Sequence, residues 1–192
     1  MTTTAKDLLH DYLRGAREAL VWKTEGLSEY DVRRPLTPTG TNLLGLVKHL
    51  AVGESRYLGD VFGRPFEPYL PWWDDDQPED VDMWATPEEG RDEIIGTYRA
   101  ASAHADETIR TLDLEATGYV PWWPSPHVTL HGVLVHVLSE TSRHAGHADI
   151  LREQLDGAAG MRAENSNLPE RQQDSWNAYR AKVEAAAREA GK

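Results

Sequence analysis

The sequence predicts an all-α protein, a four-helix bundle with an additional C-terminal helix. Two observations carry that prediction. Apolar residues recur at three- and four-residue steps in four long segments, as one face of an α-helix requires. Between them lie Pro-, Gly- and Trp-rich stretches with no convincing period-two strand. The 192 residues suit a single domain, read here as 1–192, with a bundle core over about 5–157 and a helical extension over about 168–190.

The first helix follows from Leu8, Leu9, Tyr12, Leu13, Ala16, Ala19 and Leu20 on one stripe and ends near Gly26. A Pro- and Thr-rich linker, RRPLTPTGT, leads to a second helix from about Asn42 to Phe62, stopped by Gly63 and Pro65. Residues 64–85 change character: four prolines break regular structure, and Trp72, Trp73 and Trp84 bring apolar area that must fold back over something. Thr86-Pro87-Glu88-Glu89 reads as a capping box with proline at the first helical position, opening a third helix that fades near Leu112. A second Trp-rich loop, GYVPWWPSP, repeats the PWW triplet of 71–73 at 121–123. Thr129 then caps a fourth helix that Gly157 stops. The last helix holds Trp176, Tyr179 and Val183, too little apolar surface for a core element, so it is expected to pack on the outside.

Charge and composition exclude several functions. Twenty basic against 32 acidic residues give a net charge of −12, the wrong field for nucleic acid. With no cysteine, disulfides, thiolate metal sites and a cysteine nucleophile are ruled out. The N-terminal stretch carries Asp7, Asp11 and Glu18 where a secretion signal would be apolar, and the apolar run near Val133–Leu138 is too short for a membrane span. A cytoplasmic protein is therefore expected. No Gly-rich phosphate loop, nucleophile elbow or zincin sequence occurs.

Five of the eight histidines lie between His127 and His147. Glu140 and His144, four residues apart, are separated by about 40° of rotation and about 6 Å of rise on a helix, so both reach one point beside it. His136 precedes Glu140 by four and His147 follows His144 by three, so spacing alone leaves the coordinating pair open. His49 lies among Leu46, Val47 and Leu50 on the apolar stripe of the second helix and points inward, where an imidazole needs a partner. A carboxylate or carbonyl serves that need as well as a metal does. With a metal, His49 would complete a set of two histidines and one carboxylate with open positions. His10 and His104 read as surface residues. Asp74, Asp75, Asp76, Glu79, Asp80 and Asp82 read as a solvated acidic loop, because the glycine turn and terminal glutamate of a calcium loop are missing. Trp72, Trp73, Trp122 and Trp123 read either as pocket walls or as a plug or dimer interface.

GLVKHLAVGESRYL, followed some ninety residues later by HVLSETSRHAGHADILREQLDG, resembles the DinB superfamily over nearly the whole chain. The resemblance implies a bundle in up-up-down-down order with a divalent metal near one end, zinc first, with nickel, manganese or iron as alternatives. Matched residue by residue, its ligands are His49, Glu140 and His144. Glutamate in place of the commoner histidine at Glu140 is shared with mycothiol-dependent isomerase members, and His147 stands where glutamine is usual. The resemblance further implies a thiol S-transferase or thiol-dependent isomerase that uses mycothiol or another small thiol on the metal, and a homodimer. A non-catalytic metal-binding stress protein is the alternative, and an iron-dependent oxygenase is chemically permitted by the same ligands.

Overall fold

The computed structural model describes residues 4–191; residues 1–3 and 192, the ends of the span read as one domain, lie outside it. Its elements are α1 (Ala5–Trp22), α2 (Glu29–Arg33), α3 (Leu43–Tyr57), α4 (Arg91–Thr111), β1 (Thr117–Tyr119), β2 (His127–Thr129), α5 (Leu130–Asp156) and α6 (Gln173–Ala190), with single 3₁₀ turns at 60–62, 71–73 and 81–83. Helices α1, α3, α4 and α5 form the expected bundle, α1 packing on α5 and α3 on α4.

Cross-links fix the helix directions. Lys6 at the start of α1 donates to the carbonyl of Leu112 at the end of α4 (3.0 Å), so these two helices are antiparallel. Arg152 near the end of α5 donates to the carbonyls of Lys23 (3.0 Å) and Glu25 (2.7 Å) just past α1, so those two are parallel. Tyr57 faces His136 and His49 faces His144, so α3 opposes α5. The chain order is therefore up-down-down-up, not the expected up-up-down-down. The reason lies in the connections: residues 58–90 return along the bundle between the parallel helices α3 and α4, and the hairpin after α4 leads into α5 running the opposite way.

Local chemistry explains most boundaries. Thr4 and Asp7 form a reciprocal capping box at α1. The Asn42 side chain accepts from the Gly45 amide (2.7 Å) to start α3, which stops at Tyr57 rather than Phe62 as the chain turns through Gly59 into a 3₁₀ turn. Thr129 caps α5 and Gly157, in the left-handed region at φ 80°, ends it, as the sequence predicts. Helix α4 begins at Arg91, later than expected. Half of the expected capping box is present, with Glu89 Oε2 accepting from the Thr86 amide (2.8 Å). The same carboxylate is drawn onto Lys48, and the helix starts beyond it. The β1–β2 hairpin pairs Thr117 with Thr129 and Tyr119 with His127; its three-residue strands are too short to show a period in the sequence.

Two apolar clusters fill the bundle. One gathers Leu20, Leu43, Leu46, Val47, Ile94, Tyr98 and Leu151, the other Leu13, Leu58, Ile109, Leu130, Val133 and Leu134. Between them Arg17, buried, makes a two-pronged bond to Glu54 (2.7 Å at each oxygen) and pairs with Asp106. Helix α6 buries no residue; Trp176 packs against Arg171 and Tyr179 of its own segment. Among the described residues, the expected packing of this helix on the bundle is not seen. No helix among the described residues is long and apolar enough to cross a membrane.

Candidate functional site

Helices α3 and α5 bring the predicted residues to one corner. His49 and His144 pack edge to face with ring centroids 5.0 Å apart, and Glu140 Oε2 lies 3.7 Å from His144 Nε2. A cavity of about 220 Å³ opens beside them, lined by His49, Gly53, Tyr57, Trp73, His136 and Glu140 among others. His144 is not among its lining side chains. His136 faces the cavity edge-on to Tyr57 and Trp123. His147 is exposed, its Nδ1 3.4 Å from His144 Nδ1.

The loop 58–90 supplies a partner for His49. Asp82 is buried and its Oδ2 meets His49 Nδ1 at 2.6 Å while accepting from Trp73 Nε1 at 2.7 Å. Backbone anchors hold this loop on the first half of α3. Asn42 Nδ2 donates to the Met83 carbonyl (3.0 Å), and the buried Lys48 ammonium donates to the Trp84 carbonyl (3.0 Å) and to Glu89 (2.8 Å) while lying over the Trp72 ring. Gly45 allows the close approach, since a Cβ there would run into the Met83 carbonyl. Asp82 was expected in a solvated acidic loop and is instead a buried acceptor. Its sequence signal was nil, because nothing distinguishes it from the neighbouring carboxylates.

Electrostatics follow from this packing. Burial pushes the Asp82 carboxyl up, but the bonds from His49 and Trp73 outweigh it and hold it below its ordinary value. Burial, reinforced by the neighbouring imidazoles of His49 and His147, lowers His144 to about 4. Burial also lowers His136, partly offset by Glu140. Both rings are neutral near pH 7 and offer lone pairs.

The two PWW loops divide their work. Trp73 lines the cavity and Trp72 packs into the core beneath Lys48. At the hairpin tip, Trp122 and Trp123 both donate to the Tyr57 hydroxyl (3.2 and 3.3 Å). Glu54 and Tyr57 reach the cavity, whereas Arg56 turns away toward Asp60 and Asp74. His10 and His104 are half-buried rather than superficial, bonded to Asp106 (2.8 Å) and to the Arg64 carbonyl (2.7 Å).

A family model described as mycothiol-S-transferase matches residues 8–157, from α1 through the end of α5. The chain belongs to the mycothiol-S-transferase family. That family lies within the DinB/YfiT-like superfamily, and membership implies a thiol S-transferase with a small thiol as substrate. The matched span includes every residue of the corner just described and leaves out α6. No curated protein matches the chain.

The metal that such a family implies has donors of the right kind here: two imidazoles and a carboxylate, with Asp82 engaging His49 Nδ1 and so leaving Nε2 as the donor. Among the described residues, no group of three His, Asp or Glu side chains is already gathered as a metal site. The fit is therefore one of donor chemistry and not of closed coordination.

Proposed function

We propose that this protein is an S-transferase that binds mycothiol, or a closely related low-molecular-weight thiol, in the cavity between α3 and α5 and presents its sulfur to an electrophile. The observation that carries the reading is the His49–His144–Glu140 corner opening on a cavity within the span matched to the family. A divalent ion, zinc first, would be held by His49, Glu140 and His144; bound there, it supplies the positive charge that lowers the pKa of a thiol.

The remaining tasks fall to the chain. Asp82 holds the His49 ring in one tautomer and orientation through its Nδ1 hydrogen bond. Trp73 locks Asp82 in turn and forms a wall of the cavity. Leu50, Val137 and Tyr57 keep that cavity largely apolar, which strengthens any charge interaction inside it. The protein needs no cysteine of its own, because the reacting sulfur arrives with the substrate.

The test is turnover of a chlorinated nitroaromatic by zinc-supplemented protein with mycothiol as the varied thiol. Saturable, thiol-dependent turnover is expected, falling roughly 100-fold in kcat/KM for His49→Ala and Glu140→Ala. Metal-replete protein that shows no thiol dependence with any small thiol would instead favour a non-catalytic metal-binding role.

A further inference from the structure

Beside the cavity lies a second and more open depression of about 620 Å³, lined by Arg56, Trp73, Asp74, Asp75 and Trp122. Trp73 lines both spaces, so the two adjoin at this indole. The outer space has a defined chemistry. Its indoles come from two different loops, Trp73 from the 58–90 connection and Trp122 from the hairpin tip, and each is fixed through its Nε1, on Asp82 and on Tyr57 respectively. Asp74 is oriented through one oxygen only: its Oδ1 accepts from Arg56 Nη2 and from the Tyr69 hydroxyl, both at 2.6 Å. Among the described residues, Asp74 Oδ2 and the Asp75 carboxylate have no hydrogen-bond or ion-pair partner. The positive charge of Arg56 is already committed to Asp60 and Asp74.

Two fixed indoles with free carboxylate acceptors and no uncommitted cation suit a ligand with many hydroxyl donors and no negative charge. Ring C–H groups lie against the electron-rich indole faces, and hydroxyls donate charge-assisted bonds to the carboxylates. An anionic ligand meets repulsion here from Asp74 and Asp75. We propose that this depression is the subsite for the polyhydroxylated ring portion of the thiol substrate, and that it discriminates against thiols carrying free carboxylates, such as glutathione. This rests on the thiol-transferase reading above.

The probe is the sulfur-free, N-acetylated glycan of mycothiol, N-acetylglucosaminyl-inositol, which keeps the amide and carries no charge, titrated into the full-length protein and followed by the indole N–H resonances in heteronuclear NMR. Shifts confined to Trp73 and Trp122 are expected, with affinity weakened about tenfold in Asp75→Asn and no comparable shifts from glutathione. Trp122→Phe, which keeps an aromatic face, is expected to retain more affinity than Trp122→Ala. If mycothiol is turned over but the glycan shifts neither indole, the subsite is wrong and the transferase reading stands. If the glycan binds as described but no thiol is turned over, the subsite stands and the transferase reading falls.

Discussion

Asp82 sets the orientation of His49, and its removal leaves two donors, His49 Nδ1 and Trp73 Nε1, without their acceptor. Asp82→Ala is expected to cost about 1–3 kcal/mol in chemical denaturation and to lower kcat/KM roughly 10- to 100-fold through the misplaced imidazole. Asp82→Asn should retain more of both, since the amide oxygen still accepts one bond. His144 makes a separate prediction. Its folded pKa of about 4 lies below the ordinary histidine value of about 6.5, so the unfolded chain binds the proton first. Stability contributed by neutral His144 is complete above about pH 6.5 and is lost as pH falls toward 4. Thermal midpoints measured across that window should drop, and His144→Gln should flatten the drop; an unchanged profile would refute the buried neutral ring. The sequence made His49, Glu140 and His144 visible because helical spacing and an apolar stripe constrain where those side chains go. Asp82 was invisible, because a loop carboxylate acquires its role only when Asn42 and Lys48 pin the loop backbone onto α3.

Helices α1 and α3 meet through the buried Arg17–Glu54 pair, which Asp106 extends to α4. Arg17→Met strands the buried Glu54 carboxylate and is expected to cost about 3–5 kcal/mol; Glu54→Gln leaves Arg17 on Asp106 and should cost less, and the double replacement distinctly less than the sum. Costs that simply add would show that the pair is not coupled. Gly45 is the point where the long connection touches α3, and Gly45→Ala forces the Met83 carbonyl away. The expected loss is about 1–3 kcal/mol, together with a turnover defect resembling that of Asp82→Ala, because the displaced backbone carries Asp82 with it. Element boundaries were legible where a single residue decides them, as Thr129 and Gly157 do for α5. They were not where tertiary contacts compete, as when Lys48 takes Glu89 and delays α4. The short hairpin was illegible for another reason: its strands are held by the surfaces of Val61 and Phe62 against Gly118, a contact that no local pattern encodes.

At the scale of the molecule, the bundle and its corner lie within residues 5–157, and α6 contributes no buried residue. We propose that the bundle is the working unit. A chain ending after residue 164 is expected to unfold within about 0.5 kcal/mol of the full chain and to keep its turnover; a large loss of either would show that α6 docks on the bundle. The up-down-down-up order matters for function because it places α3 and α5 antiparallel, so that the middle of each meets at the site and the 58–90 connection can return across it. The central claim is that His49, Glu140 and His144 act on one ion. Calorimetric titration of metal-free protein with zinc tests it most directly. One equivalent should bind to the wild type and be lost in both His49→Ala and Glu140→Ala; stoichiometric, undiminished binding in both variants would contradict it.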